Sequence, residues 1–250
     1  MNGRALVIVG HGSARNPNTR KPICSAVKAI KARGIFDEVR CGLWKEDPHI
    51  SITLNALHSR FITIVPFFIS KGYYTEQVIP REMKLSGPIT FRDDKVIRYC
   101  DPVGSHPLFA ELIVERARAV GAMGDETLVV LGHGTPKNPN SAKNVFLQAE
   151  RVATMNAFPQ VLTLFIDQEP HLSSVYEMAT GKRIVVVPLF VADGWHVSET
   201  IPEDLEGIQN DGRELVYASA VGTDPRVVDL ILDGAAVDID VAEGPLIASD

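Results

Sequence analysis

Short apolar runs alternate with amphipathic stretches along the whole chain. The pattern is clearest in the C-terminal half. Apolar, β-rich runs over 128–131, 161–166, 183–187 and 214–218 predict four strands, largely buried on both faces. Between them, 140–155 has helical spacing, with Asn138 or Asn140 placed to cap it. Pro170 stands where a helix reaching to about 180 would begin. A loop over 189–197 follows the third strand, and helices are predicted over 199–208 and 225–232. Strands that alternate with helices imply a parallel sheet covered on both faces. Right-handed crossovers favour the flavodoxin-like strand order 2-1-3-4. In that order a ligand is expected at the carboxyl ends of the first and third strands, where the winding reverses.

The same pattern occurs twice. Leu6-Val7-Ile8-Val9-Gly10-His11-Gly12-Ser13 recurs as Leu128-Val129-Val130-Leu131-Gly132-His133-Gly134-Thr135, an offset of 122 residues. At that offset Asn16-Pro17-Asn18 meets Asn138-Pro139-Asn140, Pro48-His49 meets Pro170-His171, and Val65-Pro66-Phe67-Phe68 meets Val187-Pro188-Leu189-Phe190. Gly72 meets Gly194 and Ile79-Pro80 meets Ile201-Pro202; the offset then slips to 118, with Val103-Gly104 against Val221-Gly222. A register held over separated blocks marks a duplication. The expected architecture is α/β, with two flavodoxin-like lobes, each a four-stranded parallel sheet flanked by helices. The lobes are expected over 1–121 and 125–234, joined at the glycine-bearing stretch between them, with an acidic tail over 235–250.

The chemistry gathers at the strand tips. Glycines in Gly132-His133-Gly134-Thr135 permit positive φ and let a ligand approach the backbone, while the strand end presents His133. The next helix N-terminus favours negative charge. The second loop, Asp193-Gly194-Trp195-His196-Val197-Ser198-Glu199, offers a flexible glycine, an aromatic face, an imidazole and a carboxylate. Two imidazoles and a carboxylate suit a borderline divalent ion such as Co²⁺, Ni²⁺, Fe²⁺ or Zn²⁺. So few ligands leave coordination positions open, as a site that hands its metal onward requires. Histidine also titrates near neutrality and can accept a proton. His133 and His196 are therefore the expected metal-handling and catalytic pair, with Glu199 as second acceptor or support for His196.

In the first copy His11 persists, but Tyr74 stands at the position of His196 and Gln77 at that of Glu199. One working metal site is expected, in the second copy. His11 and Tyr74 are expected to help hold the substrate, together with Gly132, Gly134, Thr135, Gly194 and Trp195. His49 and His171 follow prolines at expected helix starts and read as structural, and His58 and His106 carry no signal.

The 250 residues carry a net charge of −6, without a basic run that would mark a nucleic-acid surface. Three cysteines, Cys24, Cys41 and Cys100, form no C-x-x-C pair and favour a reducing cytoplasm. The apolar run over 5–9 is too short to span a membrane.

The Gly-His-Gly-Ser/Thr strand ends, Val-Val-Pro-Leu-Phe over 186–190 and Gly-x-His-Val-x-Glu-x-Ile-Pro over 194–202 resemble the class II chelatases, in particular the sirohydrochlorin cobaltochelatase (CbiX) family. The resemblance covers nearly all of 4–234. It implies a two-lobed chelatase fold that binds an anionic tetrapyrrole between its lobes and inserts a divalent metal without ATP. Co²⁺ is favoured, with Fe²⁺ and Ni²⁺ as alternatives; the metal is a substrate, and no permanently bound cofactor is implied. The family's metal-handling histidines fall on His133 and His196 and its acidic residue on Glu199. The chain departs from the pattern at Thr200, where the family commonly has Asp, and at Tyr74. Arg15, Lys21, Lys137 and Lys143 would meet the substrate's carboxylates. Duplication favours a self-sufficient monomer, with a dimer left open.

A non-catalytic tetrapyrrole or metal carrier would use the same cleft without turnover. A histidine phosphatase would need Arg where Gly10 and Gly132 stand, and so would lack its bidentate phosphate ligand. Neither a G-x-S-x-G elbow nor a Walker-type Gly-Lys-Ser/Thr is present.

Overall fold

The computed structural model describes residues 3–14, 16–135, 139–194 and 196–236, and for 139, 140 and 196 the backbone alone. Arg15, Lys137, Asn138, Trp195, the side chain of His196 and most of the expected tail, 237–250, lie outside the described residues.

The first sheet comprises β1 (Arg4–Gly10), β2 (Glu38–Leu43), β3 (Phe61–Pro66), β4 (Ile89–Arg92) and β5 (Lys95–Tyr99), in the order β2-β1-β3-β5-β4. The second comprises β6 (Thr127–Gly132), β7 (Gln160–Phe165), β8 (Arg183–Pro188) and β9 (Glu214–Tyr217), in the order β7-β6-β8-β9. The second sheet is wholly parallel and has the expected 2-1-3-4 order. The first corrects the expectation of four strands: β4 is a fifth, antiparallel to β5 at the sheet edge. The hairpin turns at Asp93, whose φ of 53° a short polar side chain tolerates. It occupies the segment in which the repeat offset slips by four residues, from 122 to 118.

The helices are α1 (Lys21–Arg33), α2 (Ile50–Thr53), α3 (Ile79–Glu82), α4 (Phe109–Ala119), α5 (Pro139–Thr154), α6 (Val175–Met178), α7 (Ile201–Gly207) and α8 (Val227–Ala236). The helix expected from Pro170 is shorter and starts later. Pro170 lies in a turn closed by the Phe165 N–H on its carbonyl, at 2.9 Å. His171 then caps the next turn by accepting from Ser173 N–H at 3.2 Å. His49 does the same for Ser51 in the first copy, at 3.3 Å, so both histidines have the structural role expected of them.

Both central strands are buried on two faces, as their unbroken apolar runs require. Leu128 and Val130 of β6 face a core shared with Leu6 and Ile8 of β1, whereas Val129 and Leu131 face a separate outer core. The shared core arises because each half lends its last helix to the other. α4 packs on α5 and β8 of the second half, and α8 packs on α1 and β3 of the first. Phe109, Ile113 and Ile231, all fully buried, carry these contacts. Arg33 pairs with Asp229 at 2.6 Å and His106 with Asp233 at 2.7 Å across the same junction, which gives His106 a structural role.

Candidate active site

His11 and His133 stand at equivalent tips, directly after β1 and β6. Two glycines set the second tip. A Cβ on Gly132 would lie 2.8 Å from Val145 Cγ2, so only glycine lets α5 pack this close. Gly134 takes φ +71°, and a Cβ there would lie 2.4 Å from the Gln168 side chain. Gln168 then accepts from Thr135 N–H at 2.8 Å, as Glu46 accepts from Ser13 N–H at 2.9 Å in the first copy. Gly132, Gly134 and Thr135 thus shape the turn that presents His133.

Each tip histidine is oriented by its own turn. His11 Nδ1 lies 2.8 Å from Gly12 O, and His133 Nδ1 lies 2.8 Å from Gly134 O. A carbonyl accepts only, so Nδ1 carries the proton, and in the neutral ring the lone pair sits on Nε2. The copies then diverge. Asp167 Oδ2 stands 3.3 Å from His133 Nδ1, while the residue matching Asp167 is Lys45, whose ammonium lies over the Trp44 ring at 5.1 Å. A carboxylate on the far nitrogen raises a ligand histidine's basicity and holds its orientation. Sequence reasoning missed Asp167. The signal was available, because Lys45 and Asp167 align at the repeat offset with opposite charge.

The second tip loops also correspond. Tyr74–Val78 and His196–Thr200 each form a π-helical turn, a form often found at functional sites. Tyr99 donates its hydroxyl to Thr75 O at 2.7 Å, and Tyr217 donates to Val197 O at 3.1 Å. Burial pushes both phenols well above the usual tyrosine range, with Asp101 and Asp193 adding to the effect, so both remain donors at neutral pH. These braces were not legible in the sequence, because the bond targets are backbone carbonyls.

In the first copy the two loops meet. The His11 and Tyr74 rings are 4.7 Å apart and nearly perpendicular, and Tyr74 stacks at 6.1 Å on Phe68. In the second, Phe190, the counterpart of Phe68, lies 6.3 Å from the His133 ring. Glu199 is exposed on its π-helical turn. A Cβ on Gly194 would touch Thr19 at 3.4 Å, so the His196 loop rests against the first half. Among the described residues, no three His, Cys, Asp or Glu side chains are grouped to hold a metal ion.

The CbiX family profile matches residues 5–120 and again 127–236. A probable sirohydrochlorin cobaltochelatase of Halobacterium salinarum is 41% identical over 265 residues, covering 93% of this chain and 91% of that one. A sirohydrochlorin cobaltochelatase of Methanocaldococcus jannaschii is 31% identical over 140 residues, 44% of this chain but 97% of its own. Among solved structures, the sirohydrochlorin chelatase SirB of Bacillus subtilis subspecies spizizenii, in complex with cobalt, superposes with a TM-score of 0.74 at 18% identity, covering 93% of this chain and 94% of that one. The profile match on both halves and the full-length relative place the chain in the CbiX family.

Proposed function

We propose that the chain is an ATP-independent metal chelatase that inserts a divalent ion, Co²⁺ by preference, into sirohydrochlorin or a closely related anionic tetrapyrrole. Family membership supports the reaction class. The observation that carries the site is the oriented His133, with its Nδ1 held by Gly134 O and Asp167. Metallation replaces two pyrrole protons by M²⁺, so the site must both hold a cation and accept protons. The Nε2 side of His133 has the chemistry for both. His196 shares the metal, and Glu199 takes a proton or supports His196. The contact of Tyr74 with His11 supports pairing His196 with His133, since each holds the matching position in its copy.

In this reading Gly194 and Trp195 line the pocket, and His11 and Tyr74 present an aromatic wall to the macrocycle. Lys21, at the start of α1, and Lys143, one turn into α5, are both exposed and meet its carboxylates. Arg15 and Lys137 complete that set. The lobes 1–121 and 125–234 are the units of the duplication, and the chain acts as a cytoplasmic monomer with no resident cofactor. No helix among the described residues is long and apolar enough to cross a membrane.

The test is visible absorbance of sirohydrochlorin with Co²⁺, Fe²⁺ or Ni²⁺, with spontaneous insertion subtracted. Catalysed metallation is expected. Binding of the macrocycle without acceleration would instead mark a carrier.

A further inference from the structure

The two junctions between the halves are related by the duplication, yet among the described residues only one is filled. On one side, α5 sends three donors into the loops of the first half. Asn144 Nδ2 donates to Ile69 O at 2.6 Å and Gly104 O at 2.9 Å. Gln148 Nε2 donates to Gly104 O at 2.8 Å and His106 O at 3.1 Å. Arg151 reaches Ser105 O at 3.5 Å. Gln148 is fully buried and Asn144 nearly so.

The matching positions on α1 are Pro22, Ala26 and Ala29, none with a side-chain donor. The matching acceptors are the carbonyls of Val191, Gly222, Thr223 and Asp224. Their backbone is laid out as in the first half: a Cβ on Gly104 would meet the Ile69 backbone at 2.4 Å, and one on Gly222 would meet that of Val191 at 2.4 Å. Where the three donor side chains are missing, a cavity of about 510 Å³ opens between α1 and the start of α8. Pro22, Ala26, Ala29, Gly222, Thr223 and Asp224 all line it.

We propose that this cavity is a binding site for a small amphipathic molecule whose polar end is an N–H donor, an amide or an ammonium. The molecule supplies its own control. The same carbonyl array, on the opposite junction, is satisfied by carboxamide and guanidinium N–H groups. Asp193 and Asp224 add further acceptors to the lining. Asp193 already takes Ala220 N–H at 2.9 Å and Asp224 pairs with Arg226 at 2.9 Å, so the added charge is partly neutralised. Phe67, Val227 and Val228 supply an apolar wall that water alone covers poorly. The volume is that of a small-molecule pocket. Asn18, Lys21 and Ser25 also line the cavity, so a carboxylate end would find a cation in Lys21, but it has no donor to offer the carbonyls and would face the two aspartates. Asp193 also begins the loop that leads to His196, so an occupant would rest beside the base of that loop.

The probes are hexanamide, hexylammonium and hexanoate, titrated against the full chain while the Ala26 and Ala29 methyl signals are followed by NMR. At least one N–H probe should bind about tenfold or more tightly than hexanoate, the ratio expected for one buried hydrogen bond gained. Ala26→Gln and, separately, Ala29→Arg restore the plug found on the other side, and each should abolish the shifts while the protein stays folded. Two such sites of substitution keep the test decisive if one variant fails to fold. Hexanoate binding as well as both N–H probes, N–H probes still bound by the refilled variants, or ordered water alone in the cavity of soaked crystals would each overturn the assignment.

Discussion

The two strand tips share a backbone plan and differ in what surrounds the histidine. At the first, His11 lies against Tyr74 within an aromatic group, and Lys45 stands where a carboxylate would be needed. At the second, His133 has Asp167 behind it, and His196 follows on the neighbouring loop. The turn that orients the imidazole is identical in both, with the same 2.8 Å contact to the next carbonyl. Orientation alone therefore does not distinguish the two tips. The difference lies in the charge near Nδ1 and in the residue of the neighbouring loop, His196 against Tyr74; in the proposed reading these separate a cation site from a surface for a conjugated ring.

The sharpest test of this contrast is His133→Ala against His11→Ala. The first should lower metallation by about a hundredfold or more, the scale of a lost proton acceptor, with folding intact by circular dichroism. The second should mainly raise the KM for the tetrapyrrole. Equal losses in kcat would mean that the two tips share the metal work.

A smaller effect is expected from Asp167→Asn, about tenfold in activity or in metal affinity, as for other groups that support a metal-bound histidine. Asp167→Lys, which copies the first tip, should lose more than Asn does. Unchanged cobalt insertion in both variants would remove Asp167 from the site.

The tyrosine braces come next. Tyr217→Phe removes the bond to Val197 O and should cost about 1 kcal/mol, read as a Tm lower by about 2–4 °C. Because that bond steadies the turn of His196, kcat should also fall a few-fold. Tyr99→Phe should cost similar stability but register in tetrapyrrole KM, since its turn carries Tyr74.

The smallest effect concerns acid. Glu126 stands at the foot of β6, where the first copy has Arg4. Burial pushes its carboxyl up, but N–H groups of Met123 and Gly124 and the Arg183 guanidinium outweigh this and hold it below its ordinary 4.5. A depressed carboxyl stabilises the fold above its unfolded pKa, and this stabilisation is lost as pH falls through the folded value. Glu126→Gln should therefore lower Tm at pH 7, with the gap to the parent closing below about pH 4.5. Amides of the second half should lose hydrogen-exchange protection before those of the first as acid is added.

Much of the site was legible in the chain because the duplication supplies an internal alignment. His11 with His133, and Tyr74 with His196, could be paired by counting. Asp167 was equally countable and was overlooked, since a carboxylate in a loop carries no signal until a neighbour is known. Tyr99 and Tyr217 were not readable at all, because their partners are main-chain oxygens brought near by the sheet. The fifth strand left only a four-residue slip in the offset.

Sequence alone determined the repeated α/β order, the parallel strands and the glycine-flanked histidines at their tips, because periodicity and steric freedom are local properties. Tertiary structure decided which half each final helix covers, which histidine has a carboxylate behind it, and which of two related junctions is filled. Those outcomes depend on residues tens of positions apart meeting in space, and only packing sets such distances.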